Sequence, residues 1–339
     1  MKLSSLPITQ NMPWLAPLAG WSDLPFRLLC REHGADVACT EMVSAKGLVY
    51  NGKNTCDLLR TQAKDSPLIV QVFGAEHDFM RKAVQILKED GFCFFDVNVG
   101  CSVPKVAKTG AGAAMLKDLP NLYKVAESVI SEVHKDKGRK IGFKIRLGYY
   151  FDENVYEEAA LRLQDLGADW ITLHPRYARQ GFSGTPCYEA LARLKELLEI
   201  PVVASGDLFT ARDGVRVLLE TGADAVMYAR GAMSNPRIFA EHKILWRHVR
   251  ENGLVSSQIP EYEELFPKSP EQIKTDLHAL IMKHLAYAKE YCPERAVLQM
   301  RTIVPRYVRH LENAKLLRQA LIQCRSFEDL DSVIQEYFA

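Results

Sequence analysis

The sequence has no apolar run approaching eighteen residues, which argues against a membrane-spanning helix. Its first residues lack the charged region and apolar stretch of a secretory leader, so none is expected. Cysteines at metal-ligand spacing are missing as well. The eight present (30, 39, 56, 93, 101, 187, 292 and 324) include no Cys-x-x-Cys and no matched Cys/His spacing. That speaks against a zinc site or a disulfide scaffold, and fits a reducing cytoplasm. An excess of one charge is lacking too. At a net charge of +1 the chain is not generally basic, so any nucleic-acid contact must rest on a local patch. Finally, no Gly-x-Gly-x-x-Gly follows the first strand-like run, which disfavours an open, dinucleotide-binding doubly wound sheet.

What is present reads as a soluble enzyme. Apolar residues make up 47% and charged residues 25%, and 339 residues suffice for one large core plus an appendage. Strand-like runs occur at 14–19, 36–42, 68–73, 94–99, 141–147, 169–174, 201–205 and 224–229, mostly short and nearly all apolar, as parallel strands covered on both faces are. Helical periodicity fills 76–91, 153–167 and 210–222, the last opening at a plausible N-cap, Thr210. Gly-Ala-Asp recurs at 34–36, 167–169 and 222–224, each time as helix end, turn and next strand start. Eight βα units within 1–250 predict an α/β fold, a (β/α)8 TIM barrel. A Pro- and Ser-rich linker is expected at 251–272, and an all-helical C-terminal domain at 273–339. Between Lys283 and Arg325 that domain carries nine Lys or Arg against three acids, a local charge of +6, with Tyr287, Tyr291 and Tyr307 interleaved. Solvated helix faces often carry such charge, but the tyrosines favour a polyanion-binding surface.

In such barrels the reaction happens at the carboxyl ends of the strands. Here those ends carry Pro17-Leu18-Ala19, Glu41, Gln71, Asn98 with Cys101, Lys144 with Arg146, His174 with Arg176, Ser205-Gly206-Asp207, and Ala229-Arg230. Singly, each reads as a structural polar group. Together they exceed what a barrel without a site needs. Backbone amides and a guanidinium after the last two strands suit a phosphate, and Lys144 and His174 on neighbouring strands suit an anionic ring. Flavin mononucleotide (FMN) fits this layout better than pyridoxal phosphate, although spacing does not force the choice.

The motifs Ala16-Pro-Leu-Ala-Gly20, Ser22-Asp-Leu-Pro-Phe-Arg27, Thr40-Glu-Met42, Val70-Gln-Val72, Asp96-Val-Asn-Val-Gly-Cys101 and Gly110-Ala-Gly-Ala-Ala-Met-Leu116 resemble those of the tRNA-dihydrouridine synthases. Lys144-Ile-Arg146, His174-Pro-Arg176, Ser205-Gly-Asp207 and Gly222-Ala-Asp-Ala-Val-Met227 continue the likeness in order, and it looks closest to the bacterial B-type branch. The resemblance implies an FMN enzyme that uses NADPH to reduce the carbon 5–carbon 6 double bond of a uridine in tRNA, and a cytoplasmic location is expected. A monomer with no metal and no membrane contact is expected. Carried over by position, Pro17, Leu18, Ala19, Gln71, Lys144, His174, Ser205, Gly206, Asp207, Ala229 and Arg230 would hold FMN, and Cys101 would be the proton donor. Asn98, Arg146, Arg176, Arg179, Arg301 and Arg306 are expected to face the substrate. A thiol of ordinary pKa, about 8.5, is roughly 97% protonated at pH 7, which suits it to donate a proton. The chain departs from the family pattern at Ser102 (usually Pro), at His174-Pro-Arg-Tyr-Ala-Arg179, at Ser205 (usually Asn), at Ala229 (usually Gly) and at Arg301-Thr302-Ile303 (usually a basic run).

Two other readings compete. One is an FMN barrel acting on a small pyrimidine or other small molecule; the other is an RNA-binding protein that kept the scaffold and lost the reaction. Another RNA as substrate also stays open. The +6 tail speaks against the small molecule, which has no need of it.

Overall fold

Among the described residues nine parallel strands form: β1 (Trp14–Leu15), β2 (Val37–Cys39), β3 (Val43–Ser44), β4 (Leu68–Phe73), β5 (Phe94–Val99), β6 (Lys140–Arg146), β7 (Trp170–His174), β8 (Val202–Ser205) and β9 (Ala225–Tyr228). Their order, β2-β1-β9-β8-β7-β6-β5-β4, closes through a β2–β4 pairing into an eight-stranded barrel; β3 only extends the ladder of β4. The structure is a computed structural model that describes residue 6 and residues 8–151 and 153–339, the side chain of residue 54 excepted. The start of the expected 1–250 segment, behind the reading that no leader is present, thus lies outside the described residues.

All eight expected strands form, most of them shorter than expected. The first stops at Leu15 because Pro17 has no N–H to give the ladder. The run expected at 36–42 divides into β2 and β3. Side chains alternate along each strand, and the inward set builds the barrel in layers. At the base sit Trp14, Ile69, Phe94, Trp170 and Val203. The Trp14 and Trp170 rings meet edge to face at 5.8 Å. Gly142 makes room for them, since a Cβ there would lie 2.0 Å from the Trp170 ring. Above this apolar floor the inward positions turn polar: Gln71, Asp96, Asn98, Lys144, Thr172 and His174.

The expected helices form at His77–Glu89, Tyr156–Asp165 and Ala211–Thr221, the last with a Thr210 capping box. The Gly-Ala-Asp repeat has a double use. Gly167 and Gly222 adopt φ of +102° and +68° to leave their helices. Asp169 and Asp224 then each accept an N–H near the start of the preceding strand, from Ile141 and Val202, both at 2.8 Å.

The expected linker is more ordered than its composition suggests. Helix Ile238–Glu251 ends at the linker's first residue, and within the linker Ser256–Gln258 and Tyr262–Leu265 form short helical turns. The first tail helix already begins at Pro270, capped by Ser269. Proline at a first helical position loses no hydrogen bond, so Pro270 starts a helix where it was read as linker. Helices Pro270–Tyr291, Pro293–Tyr307, Ala314–Gln323 and Phe327–Phe338 pack around their own apolar cluster, joined by Leu29 from the barrel helix Leu24–Glu32. Among the described residues no helix is long and apolar enough to cross a membrane.

Candidate active site

One cleft opens at the carboxyl end of the barrel, with about 960 Å³ of empty space, part of it open to solvent. Thirteen of the expected residues line it: Pro17, Leu18 and Ala19 after β1, Asn98 and Cys101 from β5 and its exit, Lys144 and Arg146 on β6, His174 on β7, Ser205, Gly206 and Asp207 at the end of β8, and Ala229 and Arg230 after β9. Met42, Phe182, Leu208, Phe209 and Met227 complete its walls. Sequence reasoning missed these. Phe182 and Phe209 sit in loops with no periodicity to announce them.

Five expected residues lie elsewhere. Gln71 is fully buried beneath the cleft, where it bonds Asp96 and Asn98. Arg176 is also fully buried: it grips both oxygens of Asp207, at 2.7 and 2.5 Å, and the carbonyls of Ser183 and Gly184. Arg179 is exposed over the Tyr150 ring, 5.8 Å from its centroid. Arg301 donates to the Cys324 carbonyl inside the tail. Arg306 lies 5.4 Å from the centroid of Trp21, in the loop after β1.

Local geometry explains how the thiol is presented. Asn98 Oδ1 accepts the N–H groups of Gly100 (3.1 Å) and Cys101 (2.8 Å), which turns the chain sharply out of β5. Across the loop the Cys101 carbonyl accepts the N–H of Ala113 at 2.9 Å. Gly112, at φ +64°, packs so closely that a Cβ would lie 2.6 Å from that carbonyl. Arg146 ties the loop to the next one, donating to Gly100, Tyr177 and Gly181 carbonyls at 2.9, 3.0 and 3.1 Å.

The site is rich in cations. Burial lowers Lys144 from the usual lysine range, the Arg146 guanidinium adds to this, and Asp96 opposes it. Burial pushes Asp96 up, while its hydrogen bond from Gln71 and the Lys144 ammonium pull it back. Burial also brings Arg146 down to about 10, helped by Arg176. His174 is held far below its ordinary value by burial and then by Lys144, Arg146, Arg176 and Arg230, so its imidazole is neutral at physiological pH. Arg230 also bonds Asp207, and its guanidinium sits 4.3 and 4.8 Å from the ring centroids of Phe182 and Phe209. Two guanidiniums thus share one carboxylate, leaving positive charge where the last two barrel strands end. Gly206, at φ +112°, presents bare backbone there: a Cβ would lie 2.8 Å from the His174 ring. This donor set suits a phosphate-bearing group. Among the described residues, no group of three or more His, Cys, Asp or Glu could hold a metal ion.

Comparison with known proteins agrees with the motifs. The family model "Dihydrouridine synthase (Dus)" matches residues 14–338. A protein of Aquifex aeolicus (strain VF5) named "Probable tRNA-dihydrouridine synthase" is 32% identical over 324 residues, 95% of this chain and 94% of its own length. The "tRNA-dihydrouridine synthase B" of Xanthomonas axonopodis pv. citri (strain 306) is 34% identical over 227 residues, 67% of either chain. That of Vibrio parahaemolyticus serotype O3:K6 is 31% identical over 263 residues, 78% of this chain and 79% of its own. The chain belongs to the dihydrouridine synthase family, whose members are flavin-dependent oxidoreductases.

Proposed function

We propose that this protein reduces the carbon 5–carbon 6 double bond of specific uridines in tRNA, with FMN as hydride carrier, NADPH as electron donor and Cys101 as proton donor. The observation that carries the reading is one cleft, in a chain of this family, lined by the Cys101 thiol and by the cationic strand ends Lys144 and Arg230. The names of the relatives supply tRNA as the substrate. The residues present fit a flavin phosphate: bare backbone at Gly206, and Arg176 and Arg230 against a single Asp207.

Saturating a uracil ring needs a hydride and a proton, and no side chain donates hydride; bound FMN would supply it. The chain's own residues do the rest. Pro17, Leu18 and Ala19 form one wall of the cleft, and Ser205–Asp207 with Ala229 and Arg230 offer the phosphate its donors. The Lys144 ammonium lies where negative charge on a ring would be stabilised, and neutral His174 can donate a hydrogen bond without adding charge. Cys101 Sγ gives its proton to one carbon of the double bond as hydride reaches the other, and the thiolate recovers a proton from solvent. The uridine must leave its stack to enter the cleft, at a cost of a few kcal/mol. The helical region 273–339, read as an RNA-binding domain beside the catalytic barrel 1–250, would offset that cost through phosphate contacts.

The test is Cys101→Ala. The variant keeps its flavin and the reduction of that flavin by NADPH, and forms no dihydrouridine in unmodified tRNA, scored by mass spectrometry of the digested RNA. Full turnover by the variant would remove Cys101 from the role of acid. A wild-type protein that takes up no FMN when it is supplied would end the reading altogether.

A further inference from the structure

Asp96 has no part in the reaction as derived above. It is a carboxylate inside the barrel, 1% exposed, two residues before Asn98 on β5 and therefore on the same inward face. A chain of hydrogen bonds rises from it to the thiol loop. Gln71 on β4 donates from Nε2 to Asp96 Oδ2 at 2.6 Å. Asn98 donates from Nδ2 to Gln71 Oε1 at 2.8 Å. Asn98 Oδ1 then accepts the backbone N–H groups of Gly100 and Cys101. All three side chains are buried, and among the described residues Asp96 Oδ1 has no hydrogen-bond partner.

The direction of this chain is set at both ends. A carboxylate only accepts, and backbone N–H groups only donate. Gln71 must turn its amide nitrogen to Asp96, which leaves its oxygen for Asn98. Asn98 must answer with its nitrogen, which leaves its oxygen for the loop. Reversing either amide would bring two donors or two acceptors face to face in a buried place, where unmatched polar groups are costly. Burial raises the Asp96 carboxyl above the usual carboxylate range, and its hydrogen bond from Gln71 and the Lys144 ammonium oppose this only in part. The order of amides itself rests on Gln71 Nε2 facing Asp96 Oδ2, the arrangement in which that oxygen accepts.

We infer that Asp96 is a positioning residue, whose carboxylate acts through Gln71 and Asn98 to hold the loop that presents Cys101. The consequence for turnover rests on the reading of Cys101 as the acid; the consequence for the loop does not. The donor–acceptor order makes a specific demand. Asp96→Asn can keep its oxygen towards Gln71 Nε2 and put its new amide where Asp96 Oδ1 has no partner, so this change alone preserves the order and also permits its reversal. Asn98→Asp sets an acceptor against the Gln71 oxygen and alone breaks the order. Together they restore it in reverse: the new asparagine at position 96 donates to Gln71 Oε1, Gln71 Nε2 donates to the new carboxylate at position 98, and that carboxylate still accepts both loop amides.

The experiment measures two things on the flavin-loaded enzyme: the rate of Cys101 alkylation by iodoacetamide, followed by peptide mass spectrometry, and kcat for dihydrouridine formation. Asn98→Asp alone should change the alkylation rate at least about threefold and lower kcat by about ten- to a hundredfold, Asp96→Asn alone should stay within about threefold of wild type, and the double variant should return to within about threefold in both. A purely space-filling role predicts instead that Asp96→Asn does not rescue Asn98→Asp, and that result would overturn the inference. So would wild-type alkylation in Asn98→Asp. Should the double variant fail to fold, Gln71→Met interrupts the chain without changing charge and must show the same altered alkylation; a wild-type rate there counts against the inference equally. Dihydrouridine formation by Cys101→Ala would remove the acid reading while leaving the alkylation result, and the positioning of the loop, in force.

Discussion

Lys144 is the residue on which cofactor chemistry most depends. It is half-buried on the inward face of β6, in register with Asn98 on β5 and two residues below Arg146. Lys144→Ala removes the ammonium best placed to stabilise an anionic ring. Such preorganised charge is worth about 10²–10³ in rate. Either the flavin content of the purified variant or the rate at which NADPH reduces that flavin should fall by at least tenfold. Unchanged absorbance and an unchanged reduction rate would refute the role. The sequence made Lys144 legible because barrel sites lie at strand ends and because alternation tells inward from outward. Depth was not legible. Alternation turns Gln71 inward as surely as Lys144, yet it lies below the cleft, tied to Asp96 and Asn98. Nor could local pattern say that Arg146 would spend its guanidinium on three carbonyls, all of them more than thirty residues away in the chain.

At the scale of elements, helix Pro270–Tyr291 joins the tail to the barrel. Its His284 is buried against Phe26, ring centroids 5.7 Å apart, and its Nδ1 lies 2.9 Å from the Tyr307 hydroxyl on the next tail helix. Lys283 and Tyr287 meet Glu32 at the end of the barrel helix Leu24–Glu32. Burial lowers His284 from 6.5 to about 3. Below pH 6.5 the unfolded chain therefore takes up a proton that the folded chain refuses, and stability is lost as pH falls through the window from 6.5 to about 3. By pH 4.5 the loss from this residue is on the order of 2–3 kcal/mol. His284→Gln can still meet the Tyr307 hydroxyl and cannot take the proton, so its Tm should fall less than that of wild type between pH 6.5 and 4.5. Parallel Tm-against-pH curves would remove His284 as a cause. The helix itself was legible from its periodicity and its start was not, because Pro270 carries the same letter whether it ends a linker or opens a helix. Thr210 and Gly222 left no such ambiguity, since cap chemistry marks both ends of Ala211–Thr221.

For the molecule as a whole, charge separates an RNA enzyme from a small-molecule one. A chain of net +1 concentrates +6 between Lys283 and Arg325, with nine basic residues against three acids. That excess could be counted in the sequence, but not its availability. Lys283 meets Glu32, Arg295 meets Glu294 and Arg301 turns inward to a carbonyl, whereas Lys315, Arg318 and Arg325 are exposed. Each phosphate contact releases counterions and adds about 0.9 to the slope of log affinity against log salt for a duplex. Replacing Lys315, Arg318 and Arg325 by alanine together should weaken tRNA binding, flatten that slope by roughly two to three units and raise KM for tRNA. The rate at which NADPH reduces the flavin should stay unchanged, because the cleft contains none of the three. A slope equal to that of wild type would mean that RNA, if bound, lies on another surface. Wild-type protein with no salt-dependent affinity for tRNA would favour a small substrate in the same cleft.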